Sequence, residues 1–373
     1  MNETKDENRD ENGVSMAGQC KQDSPGKKKF FKRKFSDTWL AFYLISVAVI
    51  LLGQILGQLL YGVVTGVLAV FLPSIWEPDV WYTFGMYICF IGIWVVAFFY
   101  MGLTKKNRPI LKTLWTNAKG STIGKLLLGI VIGFGLNGVC VLAAWLHRDI
   151  TLSFAAFEPL ALIAIFAAVF VQSSAEELVC RGFMYQRFLK SYGKPSIAIV
   201  GNALFFGVLH LNNEGVTFLS LVNIFLFGIL FSFIVYYMDS IWCAFAVHTA
   251  WNFMQNILFG LPNSGIVVPY SMFKLEAGTA ANSFAYHVGF GIEGTLLANA
   301  VLLAACIAMY FWGKRVKKND SSQSVCTAAA ERISTLLNNI KNLMEKMGWS
   351  AEQSMDVLNI SENDRKTLSQ LLK

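Results

Sequence analysis

Near-uninterrupted apolar runs govern what this chain can fold into. They cover 39–72, 81–103, 123–146, 160–179, 196–209, 218–238, 241–261 and 294–312. A helix crossing a bilayer needs roughly 20 predominantly apolar residues, with tolerance of a few either way. The fifth run is short on that count. The sixth and seventh are separated by Asp239 and Ser240 alone, which suits a tight hairpin. The first is long enough to tilt strongly or to end in an interfacial turn. Composition agrees: 55% of the residues are hydrophobic and 15% charged, against roughly 25% charged in soluble chains. The expectation is an all-α, polytopic transmembrane helix bundle of about eight spans with a small cytoplasmic helical tail.

Charge placement gives an expected orientation. Lys27, Lys28, Lys29, Lys32, Arg33 and Lys34 precede the first run. Lys105, Lys106, Arg108, Lys112 and Lys119 separate the second from the third. Arg187, Lys190 and Lys194 follow the fourth, and Lys314, Arg315, Lys317 and Lys318 follow the eighth. The alternate loops, 73–80, 148–159, 211–217 and 262–293, are poor in both residues. The positive-inside rule then places both termini in the cytoplasm of a multi-pass, bacterial-type plasma-membrane protein. An even number of spans gives the same answer. The net charge of +7 is accounted for by juxtamembrane Lys and Arg beside anionic lipid, so no nucleic acid is implied. The polar opening of the chain lacks a cleavable signal pattern, and the first span is expected to stay as an anchor. The seven cysteines are scattered and form no CxxC pair, which argues against a disulfide framework or a zinc ribbon.

Three regions follow. Residues 1–38 are a basic and polar segment expected to be disordered. Residues 39–312 form the membrane domain. Residues 319–373 form a tail in which Ile333, Leu336, Leu337, Ile340, Leu343 and Met344 repeat with helical period. Gly348 fits a C-cap, and Ser350 and Ser361 fit N-caps of two further short helices. The tail either docks a partner protein or serves as a solubilising or assembly appendage. Glycines four apart, Gly53/Gly57, Gly62/Gly66 and Gly129/Gly133, suit close helix packing.

Ionisable groups within a bilayer are costly and usually mark function. Here they cluster. The fourth run carries Glu176, Glu177 and Arg181, the fifth ends at Phe206 and His210, and the seventh carries His248 and Asn252. Glu177 and Arg181 stand four apart with the acid first, the favourable order for a pair on one helix face. Glu176 lies about 100° round the helix from Glu177, which leaves Glu177–Arg181 a structural role and Glu176 free. Phe206/His210 and His248/Asn252 share faces in the same way. Counting from the turn near Gly193, Glu176 and His210 reach similar heights of roughly 20 and 22 Å. His248, roughly 12 Å above the next turn, joins them if the first hairpin projects beyond the bilayer.

A glutamate and two histidines in a low-dielectric cavity suit water activation. Burial makes a carboxylate a more competent base. Glu176 takes the water's proton, His210 holds or shares the water, and His248 and Asn252 donate to the oxyanion. This scheme requires no cofactor. In a second scheme Glu176, His210 and His248 ligate Zn²⁺, which acidifies its water. No HExxH motif is present, and Arg181 nearby opposes a cation, so the metal-free scheme is preferred. Each feature alone has a plainer account: a buried Glu–Arg pair is usually structural, and a lone intramembrane His usually bonds a neighbouring carbonyl. Their coincidence on three neighbouring spans is what specifies chemistry. The competing classes are a polytopic transporter and a non-catalytic scaffold or immunity protein; a transporter would more often show inverted repeats and broken helices. His147, at a span edge, reads as interfacial, and His287 and Glu293, in the 262–293 segment, read as solvated.

The motifs Glu176-Glu177-x-x-x-Arg181, Phe206-x-x-x-His210 and His248-x-x-x-Asn252 resemble those of the CAAX-protease and bacteriocin-processing (CPBP) family, the type II CAAX prenyl endopeptidase fold. The resemblance spans roughly residues 160–255. It implies an intramembrane endopeptidase acting on a membrane-associated protein or peptide. It implies Glu176 as the water-activating residue, His210 and His248 completing the centre, Asn252 at the oxyanion site, and Glu177, Arg181 and Phe206 in support. It leaves the metal open, and the family's substrates include non-prenylated ones.

Overall fold

The computed structural model describes residues 34–71, 77–115 and 120–372. The basic residues 27–33 and Lys119, used above for orientation, lie outside them. The apolar runs become α1 (Trp39–Phe71), α2 and α3 (Pro78–Ile88, Ile91–Leu103), α5 (Ile123–Leu146), α6 (Pro159–Glu177), α8 (Pro195–Leu209), α9 (Phe218–Met238), α10 (Ile241–Asn252) and α11 (Leu296–Met347). A short amphipathic helix, α4 (Arg108–Trp115), follows α3, and α7 (Tyr185–Tyr192) extends α6. Among the described residues, six helices are long and apolar enough to cross a membrane; α8 is shorter, and α10 with its continuation to Leu258 is not among the six.

Helix ends follow local chemistry. Pro159 and Pro195 sit in the first turns of α6 and α8, where a missing N–H costs nothing. Thr217, Ser240 and Thr295 cap α9, α10 and α11 by accepting from backbone N–H groups. Asp239, with φ of 51°, makes the tight α9–α10 turn.

The middle of the bundle is α10. Every residue in it except Trp242 is buried, as expected of a helix apolar all round. It packs on α5 and α6, while α9 bridges α8 and α11, and α1 lies on α3. Glycines permit the closest approaches. A methyl group at Gly129 or Gly133 would collide with the Cys243 or Val247 carbonyl of α10, and one at Gly57 with the Cys89 carbonyl. Among the described residues, nothing lies within 4 Å of a methyl group placed at Gly62 or Gly66. At the end of the bundle bearing the α3–α4 turn, Asp37 accepts from Arg187 at 2.6 Å and pairs with Lys106, tying α1 to α7 and to that turn.

Two departures from the sequence expectation stand out. Residues Leu152–Phe154 (β1) and Phe273–Leu275 (β2) pair antiparallel, a small sheet in an otherwise helical chain. The tail is also not separate from the last span, because α11 runs unbroken for 52 residues. It contains no proline, and its one glycine, Gly313, packs on Tyr237. Beyond Gly348 in the left-handed region, α12 (Ala351–Val357) and α13 (Glu362–Leu371) begin at Ser350 and Ser361 as expected. Ile340, Met355, Ile360 and Leu368 bury a small core where they meet α11.

Candidate active site

After Glu177, α6 widens into a π-helical turn, Leu178–Met184, before α7; a second π-helical turn, Phe253–Leu258, follows Asn252. Such turns cost helix stability and tend to occur at functional sites. The candidate residues lie immediately before them.

The structure brings the expected residues together. Glu176, Phe206, His210, His248 and Asn252 line one cavity of about 330 Å³, and Glu177 and Arg181 lie behind its wall. The two carboxylates have different surroundings. The Glu177 side chain is fully buried, and its Oε1 accepts from Arg181 at 2.9 Å. The Glu176 side chain keeps 17% exposure, and its Oε2 stands 3.9 Å from His248 Nε2. That gap is too long for a direct hydrogen bond and suits one water held by both atoms.

The aromatic wall orients these groups. Phe231 of α9 stacks on the His248 ring at 5.2 Å. Phe206 meets His210 edge-on at 4.9 Å, and the Arg181 guanidinium lies over Phe206 at 4.6 Å from its centroid. His248 Nδ1 lies 3.0 Å from Glu177 Oε1. His210 Nδ1 lies 2.8 Å from the Phe206 carbonyl, so its other nitrogen is left for the cavity that the ring lines.

Sequence reasoning missed three contributors. Gln172, one turn before Glu176, donates to Glu176 Oε1 at 2.6 Å, and its own oxygen accepts from Asn252 Nδ2 at 3.2 Å. Its i,i+4 spacing from Glu176 was the available signal. Asn263 donates to Asn252 Oδ1 at 3.1 Å. Glu293, expected to be solvated, is 3% exposed and lines the cavity. The 262–293 segment folds back over the site instead of standing in solvent, and Glu293 then accepts from Trp251 Nε1 at 3.0 Å and from Ser264. Burial pushes its carboxyl above the ordinary range, and the Ser264 and Trp251 donors oppose part of that rise. His287 is likewise half-buried and accepts from the Phe290 N–H. His147 is exposed beside Asp149, in keeping with a span edge.

Zinc would need a set of converging ligands. Among the described residues no three His, Cys, Asp or Glu side chains group closely enough to hold a metal ion. Glu176, His210 and His248 are therefore not grouped as a metal-ligand set as arranged.

Residues 158–254 match the family model described as Type II CAAX prenyl endopeptidase Rce1-like. No curated protein matches the chain. The matched segment runs from the start of α6 into the second π-helical turn and holds Glu176, Glu177, Arg181, Phe206, His210, His248 and Asn252. Asn263, Ser264 and Glu293 lie beyond it. Through residues 158–254, in the midst of its membrane-length apolar helices, this chain is similar to a membrane protease family, the Rce1-like type II CAAX prenyl endopeptidases.

Proposed function

We propose that the protein is an intramembrane endopeptidase that cleaves a membrane-associated protein or peptide with water activated by Glu176. The observation that carries the reading is the 3.9 Å gap between Glu176 Oε2 and His248 Nε2, opening on an otherwise largely apolar cavity. Gln172 occupies Oε1, which leaves Oε2 as the oxygen that takes the proton.

In this scheme Oε2 removes a proton from the water, and the hydroxide oxygen bonds to the peptide carbonyl carbon. The carbonyl oxygen becomes an oxyanion. Asn252 Nδ2, whose present contacts at 3.2 and 3.4 Å are long enough to be exchanged, donates to it. Glu176 then passes its proton to the amide nitrogen as the C–N bond breaks. His210, whose Nδ1–H donates to the Phe206 carbonyl, turns its other nitrogen to the cavity beside the reacting water. Lys and Arg are absent among the residues lining the cavity, so apolar contacts and amide hydrogen bonds hold the substrate. No step is routed through a metal.

The test is cleavage of quenched-fluorescent peptides ending in a CAAX sequence, farnesylated and unmodified, by purified protein in detergent. Glu176→Gln keeps size and hydrogen bonding but takes no proton, and it is expected to lower turnover by roughly 10²–10⁴-fold. A chelator is expected to leave the wild-type rate unchanged. Near wild-type cleavage by a folded Glu176→Gln protein would reject the mechanism. Zinc-restored activity after chelation would replace it with the metal scheme. Binding without turnover by the wild type would favour a transporter or scaffold.

A further inference from the structure

The segment after α10 is pinned over the cavity at many points. Residues Asn263 to Ile266 close a tight turn through reciprocal backbone hydrogen bonds of 2.9 Å. Its two central residues, Ser264 and Gly265, have φ of 47° and 85°, the combination of a type I′ turn. A left-handed φ is unfavourable for serine and persists where surroundings impose it. What imposes it here is Glu293. Ser264 donates to Glu293 Oε2 through its backbone N–H, at 2.5 Å, and through its hydroxyl, at 3.1 Å. Asn213 donates to the Ser264 carbonyl at 2.9 Å. Gln255 and Asn256, in the second π-helical turn, hold the Pro262 and Leu261 carbonyls.

The turn is connected to the reacting carboxylate. Asn263 Nδ2 donates both to Glu293 Oε1, at 3.3 Å, and to Asn252 Oδ1, at 3.1 Å. Asn252 donates to Gln172, and Gln172 donates to Glu176 Oε1. Every donor in the series points the same way, from Asn263 through two side-chain amides to Glu176. An amide can be inserted in either sense, and a reversed Asn252 would turn its oxygen toward the cavity, where it would repel an oxyanion. Asn263 forbids that reversal because it offers Asn252 Oδ1 a donor. Asn263 is itself held in place by Glu293.

We propose that Glu293 is a positioning residue for the hydrolytic site: it clamps the Asn263–Ile266 turn so that Asn263 fixes the orientation of the Asn252 amide and, through Gln172, of Glu176. The proposal rests on the reading of Glu176 as general base. It concerns a residue some forty positions beyond Asn252 in the chain, outside the segment that carries the motifs.

The experiment uses the full-length protein and the same fluorogenic peptides. Glu293→Gln replaces an acceptor of four donor contacts by a group with one acceptor oxygen. Asn263→Ala, at a half-buried turn position, removes the link and leaves the clamp. Both are expected to lower kcat by roughly 10–10²-fold, the scale of a small misplacement of reacting groups, with KM within about threefold. The double variant should be no worse than the weaker single one, because both act through one connection. Hydrogen exchange of the segment containing Ser264 should quicken in Glu293→Gln and stay near wild type in Asn263→Ala. Unchanged kcat in Asn263→Ala overturns the proposal, as do losses that multiply in the double variant. Unchanged exchange at Ser264 in Glu293→Gln overturns it as well. If the wild type cleaves nothing, or Glu176→Gln cleaves as fast, the proposed function falls and this inference with it. Cleavage that is lost in Glu176→Gln but intact in Asn263→Ala overturns the inference alone.

Discussion

His248 and Arg181 meet at the same atom, Glu177 Oε1, at 3.0 and 2.9 Å. A His248 ring that donates from Nδ1 to this oxygen turns its Nε2 lone pair toward Glu176. Neutral His248 in this tautomer can hold a water's hydrogen. Once protonated, it gains a counter-charge behind it and becomes a donor. On the proposed mechanism Glu177 does more than pair with Arg181: it sets which face of the imidazole meets the water.

His248→Ala should remove that contact without unpairing Glu177 and Arg181. The expected result is a folded protein with kcat lowered by roughly 10²-fold, the scale of misplacing the reacting water. The check is turnover on the fluorogenic peptides alongside thermal stability in detergent. Wild-type turnover in the alanine variant would remove His248 from the mechanism.

Arg181→Ala is a different experiment, because Glu177 and Arg181 are both fully buried. Removing one partner leaves a charge unpaired, at about 3–5 kcal/mol, so folded yield should fall with activity. Replacing both, as Glu177→Leu with Arg181→Met, should recover much of the yield, since buried ion pairs can be exchanged for apolar groups at little cost. Turnover should stay low, because His248 Nδ1 has lost its acceptor. Recovery of both yield and turnover would show the pair to be purely structural.

Gly133 of α5 lies against the Val247 carbonyl, one residue before His248. Gly133→Val forces two backbones apart, and the helix it displaces carries the imidazole. Lower thermal stability and loss of cleavage are expected, whereas Gly62→Val, with nothing within 4 Å among the described residues, should change neither. Equal behaviour of the two variants would contradict the packing described for α5 and α10.

Reporter fusions at residue 320 test orientation. Lys314 and Lys317 lie over the rings of Tyr310 and Tyr236, the latter near the end of α9, and the positive-inside rule, applied to them and to Lys105, Lys106 and Arg108, predicts cytoplasmic placement. A cytoplasmic signal is expected, and an external one would reverse the topology proposed here.

The membrane class, the motif-bearing helices and the caps at Gly348, Ser350 and Ser361 were legible because each leaves a local mark: a long apolar run, an i,i+4 spacing, a residue type with one strong conformational preference. Glu293 and Asn263 leave no such mark. Each is a single polar residue in an irregular segment, and only the fold-back of 262–293 brings them to α10. The solvated reading of Glu293 failed for that reason, since a loop's polarity does not reveal what it covers. The continuity of α11 was hidden by composition, because the shift from apolar to charged residues looked like a boundary although nothing in the backbone required one.

The π-helical turn at Leu178–Met184 has a consequence for length. It accommodates more chain per turn than an α-helix, so in effect it is an inserted residue held open by its neighbours. Deleting one of its residues would let it close into ordinary α-helix while the helix beyond keeps nearly the same facing, so Arg187 would still meet Asp37 and Phe188 the ring of Phe42. What would be lost is the wide turn itself, which holds Arg181 against Glu177 and over the ring of Phe206. The extra residue therefore serves the site and not the length of the helix: a one-residue deletion within 178–184 should lower activity while leaving the Asp37 clasp in place.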